Sequence, residues 1–217
     1  RDSSLAITLP DISINVNRFY PFRRKKAVGK ERWYEKISLS YTGQFSNSIN
    51  TKEDKLFHTP LLKWKNGMQH RVPIDATFQL FKYINISPSF SFNDVMYTNR
   101  IMRNWDATAL REVADTTYGF YNLYDWNVAV SANTTLYGFY KPWKKLFGSK
   151  IIAIRHVFKP NVSFSYATDF TASRYGYTRH YDKTDASGNV ERVPYSPYQS
   201  GIFGYPSSTK QGMVTMS

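Results

Sequence analysis

Residues 36–45 read KISLSYTGQF, with Ile37, Leu39, Tyr41, Gly43 and Phe45 on one parity and Lys36, Ser38, Ser40, Thr42 and Gln44 on the other. A repeat of two sends these sets to opposite faces of a β-strand, because successive Cβ atoms alternate across the pleat. Working outward, the design recurs. Ile12, Ile14 and Val16 alternate with Ser13, Asn15 and Asn17. Val72, Ile74, Ala76, Phe78 and Leu80 alternate with Arg71, Pro73, Asp75, Thr77 and Gln79. Ile84, Ile86, Pro88, Phe90 and Phe92 oppose Asn85, Ser87, Ser89, Ser91 and Asn93, and Trp126, Val128, Val130 and Ala132 oppose Asn127, Ala129, Ser131 and Asn133. His156, Phe158, Pro160, Val162, Phe164 and Tyr166 oppose Arg155, Lys159, Asn161, Ser163 and Ser165. None of these is a helical stripe.

The polar parity carries the information. It is mostly Ser, Asn, Thr and Gln, over lengths near the about 9–11 residues that a tilted strand needs to cross a bilayer. A soluble sheet usually presents Lys and Glu on its outer face, whereas here the charges gather between strands: Arg23 to Glu35, Lys52 to Lys55, Arg100 to Arg111, Lys141 to Lys150 and Arg179 to Arg192. Trp33, Tyr34, Trp64, Trp105, Trp126 and Trp143 fall at or near predicted strand ends, as do Tyr97 and Tyr140, a placement expected of the aromatic girdles at membrane interfaces. A short step at Phe81-Lys82-Tyr83 contrasts with a long polar hairpin at Tyr181–Pro194, as if short turns and long loops lay on opposite sides. Pro10, Pro73, Pro88 and Pro160 interrupt strand-like runs and call for bulges or strand ends. The expectation is an all-β, antiparallel transmembrane barrel segment, one domain over 1–217, with about eight to ten consecutive strands.

Composition bounds the chemistry. The chain has 217 residues, 29 Lys+Arg against 16 Asp+Glu, a formal net charge of +13, 17% aromatic residues and no cysteine. Disulfide scaffolds, thiolate nucleophiles and Cys-ligated metals are excluded. There is no run of about 18 apolar residues, which rules out a spanning helix and leaves a barrel untouched. No secretory leader is recognisable, and Gly212–Ser217 stops within an alternating pattern, so the chain is expected to be an internal piece of a longer protein. His58, His70, His156 and His180 lack metal-ligand spacing, Gly29-Lys30 lacks the upstream glycine of a phosphate loop, and no G-x-S-x-G elbow occurs. No catalytic residue, metal or cofactor is expected. The strongest charge feature, Arg23-Arg24-Lys25-Lys26, is a candidate phosphate-binding or interface loop; the basic groups form no nucleic-acid module, and lipid phosphates suit them equally.

Three blocks go further: LPDISINVNRFYPFRRKKAVGKERWYEK with ISLSYTGQFSNSINTKED (from Leu9), HRVPIDATFQLFKYINISPSFSF (from His70) and IIAIRHVFKPNVSFSYATDF (from Ile151). Together they resemble the lipopolysaccharide-assembly outer-membrane family LptD in its Bacteroidetes form. The resemblance implies a large outer-membrane barrel that passes lipopolysaccharide into the outer leaflet through a lateral opening. It also implies an LptE-type lipoprotein plugging the lumen, and a periplasmic Lpt bridge reached through an N-terminal jellyroll outside this segment. No covalent chemistry is implied. Alternatives that share the periodicity are another outer-membrane barrel (a porin or receptor), a soluble basic all-β binding module, and an outer-membrane hydrolase.

Overall fold

The computed structural model describes residues 4–26, 28–52, 58–60, 63–140, 154–185, 187–207 and 211–216. Alternation produces strands as expected: β1 (Ser4–Phe19), β2 (Ile37–Lys52), β3 (Lys65–Ala76), β4 (Phe78–Leu80), β5 (Ile84–Asp106), β6 (Arg111–Thr134), β7 (Leu136–Tyr140), β8 (Ile154–Phe158), β9 (Asn161–Ala167), β10 (Arg179–Thr184), β11 (Val190–Tyr195) and β12 (Gln211–Met216). The main sheet runs β1-β2-β3-β5-β6-β9-β12, with β4 also on β5. Every pairing in it is antiparallel. The fold is all-β, and the sheet is open: among the described residues β1 and β12 each pair along one edge only. Among the described residues no helix is long and apolar enough to cross a membrane.

Register lines the alternating sets up into two continuous faces. Leu39 opposes Ile74, Ile74 opposes Phe90, and Phe90 opposes Val128, which faces Tyr166. One row over, Pro88 opposes Val130, which faces Phe164 and then Val214. The Ser and Asn sets align equally, as in Ser87, Ser131, Ser163 and Thr215.

The four prolines that interrupt the alternating runs sit where the ladder has no use for their missing N–H. Pro10 falls at the register shift between Thr8 and Asp11 of the edge strand β1. Pro73 continues pairing with Ser91, while the β2–β3 ladder lapses between Leu39↔Ile74 and Thr42↔Arg71. Pro88 lies opposite the gap between β3 and β4. Pro160 splits the predicted strand 155–166 into β8 and β9, and its carbonyl accepts from the Thr134 N–H at 3.3 Å.

Two expectations are corrected. The charges of 100–111 lie within β5 and β6 rather than in a loop, and only 107–110 turn. These strands outrun β3 to form a projecting hairpin in which Arg103 pairs with Glu112 at 2.7 Å, so this charge is met across the ladder. Connection length does not segregate by end either. The three-residue turn 81–83 shares an end with the long β1–β2 loop 20–36 and with the β7–β8 hairpin, and the turn 107–110 shares the other end with residues 168–210. The turn at 81–83 is made by Phe81 and Lys82 at φ 50 and 66.

Residues 168–207 form a strap. Where β9 leaves the β6 edge, the Tyr177 hydroxyl accepts the Tyr124 N–H at 2.9 Å and donates to the Tyr124 carbonyl at 3.2 Å, standing in for a departed strand. The chain then makes the β10–β11 hairpin, closed by Asp185, which accepts the Ser187 and Asn189 N–H groups at 2.8 and 2.9 Å. It reaches the free β5 edge, where the Pro197 carbonyl accepts the Ile101 N–H at 2.9 Å and the Tyr195 hydroxyl accepts that of Arg103 at 3.2 Å. The strap thus covers both edges of the projecting hairpin. Beneath it lies the aromatic core: Val95, Tyr97, Leu123, Phe170, Tyr177 and Tyr198, with Leu123 and Phe170 fully buried.

Candidate functional site

The Ser/Asn/Gln face is cross-linked by side chains. Gln69 donates to Asn93 at 2.9 Å, and Asn93 to Asp125 at 3.1 Å, a polar chain across β3, β5 and β6. Asn85 and Asn133 meet at 3.2 Å, and Gln44 donates to Asp11 at 3.3 Å. Such a face is satisfied internally and tolerates water. The opposite face is apolar and bare. Ile12 and Ile14 are 51% and 59% exposed at one side, and Phe164 and Val214 46% and 60% at the other. A contiguous exposed apolar surface of this kind marks contact with lipid or another protein. Its polar inclusion is the pair Tyr41 and His70, hydrogen-bonded at 2.6 Å, with Asp94 opposite His70. The Tyr41 ring lies over Gly43, where a Cβ would come within 2.4 Å of its oxygen.

The basic cluster Arg23-Arg24-Lys25-Lys26 does not act as one patch. Arg24 forks onto the buried Glu35, within hydrogen-bond contact at Nε and at 3.0 Å through Nη2, and also donates to the Val28 and Lys30 carbonyls. The Arg32 N–H adds a 2.7 Å bond to the same carboxylate. The Arg24 guanidinium, then the Arg32 amide, hold Glu35 down at about 2. Arg23 pairs with Glu31 at 3.2 Å and lies over the Tyr20 ring. Two of the four cations therefore shape their own loop, which leaves Lys25 and Lys26 exposed to meet an anion.

The girdle candidates scatter along the strands. Trp33, 67% exposed, stands edge-on to Tyr34 in the short 3-10 helix Trp33–Lys36 before β2. Trp64 lies at the opposite end, just before β3, and Trp105 near the tip of the projecting hairpin beneath the Lys183 ammonium at 5.7 Å. Trp126 sits mid-strand in the apolar row, its ring 6.4 Å from Phe90 and 6.1 Å from Tyr166. Trp143 lies outside the described residues.

Sequence reasoning missed the strap and the cavity of about 350 Å³ beside it, between the strap, the start of β3 and the projecting hairpin. One signal was present: Phe170, Tyr175, Tyr177, Tyr181, Tyr195, Tyr198, Phe203 and Tyr205 crowd a non-alternating stretch, too aromatic for a solvated loop. Two glycines make the close fit. A Cβ on Gly201 would come within 2.5 Å of the Tyr97 ring, and one on Gly67 within 2.9 Å of that ring and 3.1 Å of Phe203.

Among the described residues no group of His, Asp or Glu could hold a metal ion. Searches of curated proteins and of solved structures give no significant match. A family profile described as LptD protein, in contrast, matches residues 1–217. With its two-faced antiparallel sheet and this match along its length, the chain belongs to the LptD protein family.

Proposed function

We propose that this chain is part of the wall of an outer-membrane β-barrel that inserts lipopolysaccharide into the outer leaflet. Family membership supports a role in lipopolysaccharide transport and assembly. The observation that carries the barrel reading is the continuous exposed apolar face backed by a hydrogen-bonded polar face. The apolar set on β5 runs without interruption from Ile84 to Phe92, about 27 Å along a strand, and a tilt of about 40° reduces this to about 21 Å, comparable with the apolar band of outer-membrane barrels. Ile12, Val128, Phe164 and their row neighbours then meet acyl chains, and the Gln69–Asn93–Asp125 side lines a hydrated lumen. Closure falls to further strands pairing with β1 and β12, because unpaired backbone groups are not tolerated in hydrocarbon. An LptE-type lipoprotein would meet the part of the polar face that the strap leaves open, and the periplasmic bridge would act through an N-terminal domain outside this segment. The role requires no covalent chemistry.

Depleting the full-length protein and measuring surface lipopolysaccharide tests the role; unchanged surface levels would exclude it and favour a porin or receptor. Facing is tested separately. Val130→Arg should cost about 2–4 kcal/mol of barrel stability if near the midplane, and Ser131→Arg, on the opposite face, should be tolerated. Equal tolerance at both positions overturns the facing, and release from membranes by carbonate without detergent overturns the barrel.

A further inference from the structure

We infer that the cavity between the strap and the projecting hairpin is a binding site for a phosphorylated saccharide. Its volume, about 350 Å³, suits a single sugar unit. The charge inside is of one sign. Lys63 and Lys65 line it, exposed and free of ion pairs, and no carboxylate lies in the lining, both among the described residues. Part of the remaining polar lining is unspent: the Asn99 amide and the Thr116, Tyr118 and Ser200 hydroxyls have no protein hydrogen-bond partner among the described residues, whereas Asn66 and the Tyr97 and Tyr198 hydroxyls are already engaged. Two ammonium groups recognise a phosphate, and neutral amide and hydroxyl groups are what a polyol hydrogen-bonds to.

The wall is preorganised. The Tyr97 and Tyr198 rings stack at 6.1 Å, and the Tyr97 hydroxyl donates to the Gly204 carbonyl at 2.7 Å while accepting the Phe203 N–H at 3.0 Å. The strap contributes Pro197 to Gly201 and is fixed to β5 by the bond between Ile101 and Pro197. The site therefore exists only with the strap in place, and it lies on the polar face. The ligand's source could be a lipopolysaccharide headgroup or a soluble sugar phosphate. For the first of these the inference rests on the proposed function; the binding itself does not.

The test is calorimetric titration of the full-length protein in detergent micelles with glucose 1-phosphate, inorganic phosphate and glucose. Glucose 1-phosphate should bind more tightly than phosphate, and glucose should show no measurable heat. Lys63→Gln with Lys65→Gln should weaken glucose 1-phosphate at least about tenfold, with heat-modified gel mobility confirming a folded barrel. Tyr118→Phe should weaken glucose 1-phosphate and leave phosphate unchanged. No binding at millimolar glucose 1-phosphate, or binding that survives the double substitution, overturns the site. Equal affinity for phosphate and glucose 1-phosphate overturns its saccharide specificity. Addition of purified lipopolysaccharide should displace glucose 1-phosphate if the headgroup is the source, and failure to displace it assigns the site to a soluble sugar phosphate. The depletion experiment stands apart, so loss of this site and loss of the translocation role are read independently.

Discussion

Two hairpins project from the sheet at opposite ends, and they end differently. The β5–β6 extension is wrapped by the strap over one face, where Leu123 and Tyr97 are 0% and 2% exposed, while Phe120, which the strap does not cover, is 72% exposed. The β7–β8 hairpin keeps the same register as the β6–β9 ladder it continues, yet Phe139 and Tyr140 on its two faces are 71% and 62% exposed. Both are antiparallel ladders rich in aromatics. What separates them is whether a later stretch of chain returns to cover them, so a hairpin's own sequence does not decide its environment.

The sharpest way to break this contrast is to truncate one aromatic at each, the strap's own Phe170 over the β5–β6 extension and Phe139 of the β7–β8 hairpin. Phe170→Ala removes a fully buried ring by which the strap is seated and should cost about 3–5 kcal/mol; Phe139→Ala, on the bare hairpin, should stay within about 0.5 kcal/mol. Denaturant titration of the full-length protein in micelles reads both, and comparable losses would abolish the distinction. A smaller effect is expected from Tyr177→Phe. The Tyr124 N–H and carbonyl lose their partner together, at a cost of about 1–3 kcal/mol, and the Tyr124 amide should exchange hydrogen faster while amides of β7 keep their rate. Unchanged exchange at Tyr124 would mean that the strap's hydroxyl does not serve as a strand substitute.

The smallest effect concerns a third device, the loop 20–36, which is neither strapped nor bare but pinned by one buried carboxylate. The folded-state value of Glu35 lies below its ordinary value of 4.5, at about 2. Its contribution is therefore fully present above pH 4.5 and is lost as pH falls through about 2. Fluorescence of the neighbouring Trp33 should hold steady from neutrality to about pH 4.5 and change progressively between there and pH 2. Glu35→Gln should remove that acid transition, and a transition centred near the ordinary glutamate value in the parent protein would show that Arg24 does not hold the carboxylate.

How much of this was legible depends on the distance over which residues cooperate. Parity along Ile37–Phe45 or Ile84–Phe92 is local, and it located the strands and sorted their faces. Pro160 was visible as a problem, and its solution, a break between β8 and β9, follows from its missing donor. The extension of β5 was hidden because Arg100 and Arg103 resemble loop residues until Glu112 is seen across the ladder. Arg24 read as a free cation because Glu35, its partner, lies eleven positions away with nothing in the spacing to mark it. The strap was furthest from reach: Tyr97 bonds Gly204 across 107 positions, and no periodicity encodes such a contact. For the same reason the cavity, built from three separate parts of the chain, left no motif.

The order in which the sheet can assemble follows from its connections. The turn at 81–83 joins neighbours at almost no entropic cost, whereas bringing β12 to β9 means closing residues 168–210, about 2 kcal/mol dearer by loop-closure scaling. Docking of the strap supplies local contacts that offset this. The wall should therefore zip from its N-terminal side, with the last joint waiting on the strap, and a chain whose strap cannot seat would stall with β9 as a raw edge, the form most open to mispairing.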